Sequence, residues 1–174
     1  MIMASPKLGE LTDMPSTSVP ADFDALYARH YEAVFRAAAR VTGNLTDAED
    51  AVQTVFLRIL SRGDFEEVAR RPAAYFRRAA VNAAVDLLRR RITRGETAYD
   101  DLAPAAAVDS PPLLKEELRR AIATLQSEDA TLFLLRYVEG LSNEELANLF
   151  QLEKNTVAVR LHRIRVRLQT ELER

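Results

Sequence analysis

The chain has 174 residues, enough for one ordinary domain or two small ones. Hydrophobic residues make up 48% and charged residues 29%, a composition typical of a folded protein and not of a disordered one. The net charge is −2 and cysteine is absent, which excludes disulfides, thiolate metal sites and a cysteine nucleophile. No apolar run approaches the roughly 20 residues that span a bilayer, so we expect a cytoplasmic protein without membrane insertion.

Residues 1–21 are rich in Pro, Ser and Thr and lack the apolar centre of a signal peptide, so they are predicted to form a flexible tail. Apolar residues then follow three-four spacing and predict a first helix, which ends at Gly43. Thr46 and Glu49 have the spacing of a capping box, which predicts the start of a second helix.

Pro72 suits the first position of a third helix, where its missing N–H costs nothing. The apolar stripe of this helix consists of Phe76, Ala80, Ala83 and Leu87. Residues 95–112 follow, with three prolines and four acids and no useful period, which predicts a flexible acidic linker.

A second helical unit is predicted at 113–174. A helix from Ser127 stops at Gly140, and Ser142 with Glu145 forms a second capping box that opens a short helix. A long helix begins near Lys154. The sequence therefore predicts an all-α protein of two small helical domains, 22–94 and 113–174, of which the second contains a helix-turn-helix.

The long helix contains no acid between Lys154 and Arg167, although the whole chain has more acids than bases. In a helix-turn-helix the second helix enters the major groove, where flanking arginines meet phosphates. A single basic helix is more often a solvated face. The capping box, the short first helix and the acid-free run together favour DNA binding here.

A second basic stretch, from Arg70 to Arg94, contains eight arginines and one acid, Asp86. It also contains Tyr75 and Phe76, and arginines with aromatic rings suit a nucleic-acid strand whose bases stack on the protein. Phe76 belongs to the core stripe, so Tyr75 is the better candidate for stacking.

These motifs, in this order, resemble bacterial sigma factors of the extracytoplasmic function (ECF) class, which consist of two helical regions called region two and region four. The resemblance covers about residues 22–94 and 113–172. It implies that the protein binds core RNA polymerase and promoter DNA, is held by an anti-sigma partner, and needs no cofactor.

The stretch "DAEDAVQTVFLRIL", from Asp47 to Leu60, resembles the helix by which sigma factors dock onto the clamp of core polymerase. The family often has Glu where this chain has Thr54. The resemblance implies docking roles for Asp47, Asp50, Gln53 and Phe56.

The stretch "RRPAAYFRRAAVNAAVDLLRRR", from Arg70 to Arg91, resembles the segment that melts and reads the minus-ten element. Asn82 matches a family Asn that helps hold a flipped-out base, and an amide can read a Watson–Crick edge. The sequence Arg-Pro-Ala-Ala-Tyr-Phe resembles that of the iron-uptake subgroup of the class. The implied minus-ten contacts are Tyr75, Arg77, Arg78, Asn82, Arg89 and Arg90.

Residues from Leu134 to Leu168 resemble region four, which binds the minus-thirty-five element. The family usually has Gly in the turn, where this chain has Gln151. Ala158 and Val159 replace a basic residue and Ser, and can touch a thymine methyl but cannot hydrogen-bond a base. Two interpretations stay open: the promoter preference is unusual, or binding of this half depends mainly on phosphate contacts. The implied contacts are Lys154, Thr156, Ala158, Val159, Arg160, His162, Arg163 and Arg165.

Two other functions remain open at this point. One is a stand-alone helix-turn-helix regulator, and the other is a sigma-like module that binds an anti-sigma factor without binding promoters. An enzyme is not expected, because the two histidines, His30 and His162, lie far apart without metal-ligand spacing.

Overall fold

The computed structural model describes residues 23–62, 68, 70–95 and 116–173. Within those residues the secondary structure is helical and contains no strand, which confirms the predicted all-α class. The predicted tail at 1–21, residues 63–67 and all but the first residue of the predicted linker lie outside the described residues. The helices are α1 Phe23–Thr42, α2 Leu45–Arg62, α3 Pro72–Arg94, α4 Glu116–Ala123, α5 Ser127–Tyr137, α6 Asn143–Phe150 and α7 Lys154–Leu172.

The turn between α1 and α2 differs in one detail from the predicted one. Gly43 ends α1 with φ of 66°. The side chain of Asn44 then accepts a hydrogen bond from the backbone N–H of Asp47 at 2.8 Å. Asn44 therefore caps α2, and the predicted capping box of Thr46 and Glu49 is wrong, because the helix already begins at Leu45.

The first three helices pack around a core that is rich in alanine. Ala38, Ala51 and Ala80 are each fully buried, and such small side chains allow helix axes to approach closely. Pro72 stands at the start of α3 as predicted. The predicted stripe of α3 is off by one position at its end, since Leu88 and not Leu87 is buried.

The helices α4 to α7 contain the predicted helix-turn-helix. Both hydrogen bonds of the capping box of Ser142 and Glu145 are present at the start of α6, as predicted. The buried face of α7 consists of Val157, Leu161, Ile164 and Leu168.

The two helical units do not stand apart. The middle helix of the chain, α3, packs against α1 and α2 on one side and against α4 and α5 on the other. Buried residues of both units, such as Val85 and Ile122, belong to one continuous hydrophobic cluster. Sequence periodicity predicts each unit but carries no signal for this packing.

The turn between α6 and α7 depends on Gln151, which adopts φ of 55° and ψ of 44°. Its backbone N–H closes α6 by donating to the carbonyl of Ala147. Among the described residues, Gln151 is the one non-glycine with positive φ. The left-handed region disfavours a side chain with Cβ, so the turn is held at a conformational cost.

Replacing Gln151 with Gly should raise the free energy of unfolding by about 1 kcal/mol, because glycine adopts positive φ without that cost. Urea denaturation measures the change. Gln169→Gly on the exposed face of α7 is the matched control and should lower stability by about 1 kcal/mol. A loss of stability in Gln151→Gly would show that the turn is not strained.

Candidate polymerase and nucleic-acid interfaces

One exposed stripe runs along the outer face of α2. It contains Asp50, Gln53 and Leu57, which follow each other at helical spacings of three and four residues. Leu57 is 62% exposed, the largest exposed fraction among the exposed large hydrophobic side chains of the described residues. The resemblance did not single it out, although its position four residues after Gln53 places it on the same face. An apolar side chain framed by polar ones suits a protein partner.

Two other residues expected to dock polymerase lie inside the protein. Phe56 is 3% exposed and packs among the rings of Phe23, Tyr27 and Phe76. Asp47 forms an ion pair of 2.7 Å with Arg91, and both side chains are mostly buried. Their position gives them structural roles, in the core and between α2 and α3.

Of the residues expected to bind the minus-ten element, Arg77 and Arg90 are exposed on α3. Tyr75 is half-buried, with its ring edge-on to Phe76 at a centroid distance of 5.7 Å. The other three, Arg78, Asn82 and Arg89, face the second helical unit.

These three side chains each have a partner in that unit. Thr131 donates a hydrogen bond to the Asn82 side-chain oxygen. Arg78 donates to the carbonyl of Leu149 at 3.2 Å, and its guanidinium lies 4.6 Å from the ring centre of Phe150. Arg89 donates to the carbonyl of Ala123 at 3.1 Å. The structure brings the three against the second unit, and each side chain stays partly exposed to solvent.

The long helix α7 presents its outer face to solvent. Outside its buried stripe, the exposed side chains include all but one of the residues expected to bind the minus-thirty-five element: Lys154, Thr156, Ala158, Val159, His162, Arg163 and Arg165. No acid occurs in this part of the helix. Val159 is 49% exposed, so its methyl groups are accessible to a ligand.

Arg160 differs from the other basic residues of α7. Its guanidinium forms ion pairs of 2.6 Å with Asp129 and 2.8 Å with Glu128, both on α5. Burial lowers the pKa of Arg160, but its hydrogen bonds and charge attraction to these carboxylates outweigh burial, and the pKa is raised overall. This side chain therefore joins α7 to α5.

The histidines form no common site. His30 stacks on Phe76 at a centroid distance of 4.3 Å, and burial, followed by the nearby charge of Arg29, lowers its pKa. His162 is exposed on α7. Among the described residues, no group of three or more His, Cys, Asp or Glu side chains is placed to hold a metal ion. Within the same residues, no helix combines the length and apolar character needed to cross a membrane.

Comparison with known protein families matches both halves of the chain. Residues 26–93 match the family model described as Sigma-70 region 2, and residues 115–168 match Sigma-70, region 4. The chain is 34% identical to the RNA polymerase sigma factor CarQ of Myxococcus xanthus over 81% of its own length and 83% of that protein. The chain belongs to the sigma factor family.

A relative named as a member of the ECF class and two solved structures are also similar to this sigma factor. It is 31% identical over 94% of its length to the ECF sigma factor SigE of Mycolicibacterium smegmatis, of which it spans 64%. The fold is similar to RpoE of Bartonella quintana, solved with the anti-sigma factor NepR, with TM-score 0.52, 21% identity, and coverage of 87% of this chain and 97% of RpoE. CnrH, solved with the cytosolic domain of CnrY, has TM-score 0.52, 24% identity, and coverage of 90% and 91%.

The capping box of the sigma factor's helix-turn-helix predicts that the stability of the folded state depends on pH. The pKa of Glu145 lies below its ordinary value of 4.5, mainly because its carboxylate accepts a hydrogen bond from the Ser142 backbone N–H. The hydrogen bond with the Ser142 hydroxyl is the second cause. A lowered pKa in the folded state adds stability above pH 4.5, and this is lost as pH falls through the folded-state pKa.

Glu145→Gln keeps an oxygen for the Ser142 N–H but cannot titrate. The advantage of the wild type over this variant should therefore shrink as pH falls from about 5 to about 3, measured by urea denaturation at each pH. Glu144→Gln, next in sequence and outside the box, is the control. A difference that stays constant over this range would contradict the assigned linkage.

Proposed function

We propose that this sigma factor binds core RNA polymerase through α2, contacts the minus-ten element through α3 and the minus-thirty-five element through α7. The observation that carries the proposal is the exposed, acid-free face of α7. A carboxylate on that face would repel phosphate, whereas Arg163 and Arg165 attract it. In this role the chain catalyses no reaction by itself, and we place it in the cytoplasm, where polymerase and chromosome are.

The domain boundaries that we propose follow the sequence: region two at 22–94 and region four at 113–174, joined by residues 95–112. Because the two DNA contacts are covalently linked, binding of one raises the effective concentration of the other. Neither contact then has to be tight alone.

For the minus-thirty-five element we propose mixed recognition. Val159 and Ala158 offer only apolar contacts, which suit thymine methyl groups, while Lys154, Arg163 and Arg165 neutralise phosphates. Thr156 and His162 are exposed and can hydrogen-bond base edges.

An anti-sigma partner is also proposed. It is supported by the similar fold of RpoE, which was solved with the anti-sigma factor NepR. CnrH, also similar in fold, was solved with the cytosolic domain of CnrY. Membership of the iron-uptake subgroup stays a proposal that rests on the sequence between Arg71 and Phe76. The alternative of a module that binds anti-sigma but not promoters rests on Ala158 and Val159, and a stand-alone regulator would leave the α2 stripe without a partner.

Polymerase docking is tested by co-elution of the purified chain with core RNA polymerase that lacks sigma. Gln53→Ala with Leu57→Ala should abolish co-elution, because both side chains are exposed on the α2 stripe. Phe56→Ala is unsuitable, since removing a buried ring costs about 3–5 kcal/mol of stability. The matched control is Gln169→Ala with Leu172→Ala, an exposed pair of the same residue types on α7. If the α2 double variant still binds, the stripe is not the polymerase-binding surface.

Phosphate contact by α7 is tested by the salt dependence of promoter binding. Arg163→Ala should flatten the log–log slope by about 0.9, the loss expected for one phosphate contact. Arg160→Ala should leave the slope nearly unchanged and lower stability instead, because Arg160 is paired with Asp129 and Glu128. An unchanged slope in Arg163→Ala, or an equal effect of both variants, would overturn this assignment.

A further inference from the structure

The side of α7 that points away from the protein follows from helical geometry. An α-helix turns by about 100° per residue, so the buried stripe of α7 fixes which residues lie on the opposite side. Asn155, Val159 and Val166 lie there, within about 40° of one another around the helix axis. All three side chains are exposed. These three residues form the outer ridge of α7.

Positive charges lie on both sides of the outer ridge, while the ridge itself carries none. The same geometry puts Arg163 and Arg167 on one side of it, and Lys154 and Arg165 on the other. All four side chains are exposed. A helix in the major groove has base edges in front of it and a phosphate backbone on either side. The charges of α7 therefore match the phosphates, and its outer ridge faces the bases.

Asn155 combines the place and the chemistry of a base-reading residue. It is the second residue of α7, and the first turns of a recognition helix contact base edges. Its carboxamide offers one acceptor and two donors. Adenine presents the complementary pair in the major groove, a donor at N6 and an acceptor at N7. Guanine presents two acceptors there, so it would leave the amide oxygen of Asn155 without a donor.

Val159 lies one helical turn further along the outer ridge. The four residues from Asn155 to Val159 rise about 6 Å along the axis. Successive base pairs are about 3.4 Å apart, so the two side chains reach base pairs within two steps of each other. The methyl groups of Val159 suit the C5-methyl group of thymine. Both features, the adenine edge and the thymine methyl, belong to A·T pairs.

We propose that Asn155 is a base-reading residue that selects adenine, and that with Val159 it requires two A·T pairs within two steps in the minus-thirty-five element. The family resemblance gave Asn155 no role. Its selection of adenine depends on the proposed entry of α7 into the major groove. Asn155 would then supply the bidentate hydrogen bonds to a base that Ala158 and Val159 cannot make.

Sequence selection by the holoenzyme, the full chain bound to core RNA polymerase, tests this role. From a library of random-sequence duplexes, wild type should enrich an A·T pair in the minus-thirty-five element and a second within two steps. Asn155→Ala should lose the first preference and Val159→Ala the second, while the rest of the selected sequence stays the same. Gln169→Ala, at an exposed amide near the other end of α7, is the matched control and should change neither preference.

A change of specificity separates base reading from a structural role of Asn155. Asn155→Asp should exchange the adenine preference for cytosine, because a carboxylate accepts a hydrogen bond from cytosine N4. The variant should remain folded, since Asp is favourable in the first turn of a helix. Contact with phosphate or with the helix backbone would produce no exchange of one base for another.

Modified bases test the two contacts atom by atom. Replacing the selected adenine with 7-deazaadenine removes the N7 acceptor. Wild-type affinity should fall about fivefold, the lower end of the range for a bidentate base contact, and that of Asn155→Ala should not change. Replacing the second pair's thymine with uracil removes the methyl group, which should weaken wild type but not Val159→Ala.

Arg163→Ala distinguishes failure of base reading from failure of the proposed function. If Arg163→Ala weakens binding to all sequences while Asn155→Ala selects the same sequence as wild type, α7 binds DNA but Asn155 reads no base. The absence of any minus-thirty-five preference in wild type, with the same effect of Arg163→Ala, would also overturn base reading. If neither variant alters DNA binding or selection, the proposed role of α7 in DNA binding is wrong as well.

Discussion

The whole structure depends on the burial of α3 from two sides. Its alanines and Phe76 pack against α1 and α2, while α4 and α5 cover its other side. Because one helix serves both units, the same surface that completes the hydrophobic core also carries the arginines proposed to meet DNA. The hydrophobic core and the surface proposed to meet DNA therefore share one helix.

Much of this architecture could be predicted from the sequence, because periodicity and local capping are short-range signals. The helix-turn-helix, the box of Ser142 and Glu145, and Pro72 at the start of α3 all follow from residues within a few positions of one another. The sequence did not identify Asn44 as the cap of α2, because Asn44 and Thr46 are both residue types that cap helices. The hydrogen bond from the Asp47 backbone N–H to the Asn44 side chain shows that Asn44 is the cap.

The candidate sites were less predictable, because neighbouring residues on a helix face different directions. Phe56 and Leu57 are adjacent in the docking motif, yet one is in the core and the other in solvent. Arg160 looks like its basic neighbours in sequence, and its acids lie 31 and 32 residues away on another helix. Such partners become visible only when the helices are placed.

The buried guanidinium of Arg119 lies against the backbone of Gly43, where a Cβ would be 2.0 Å from Nη2. This contact has an evolutionary consequence. A residue with Cβ at position 43 would have to displace the guanidinium, so relatives without glycine there should have a smaller residue at the position of Arg119. The two positions should therefore covary across the family although they lie in different regions.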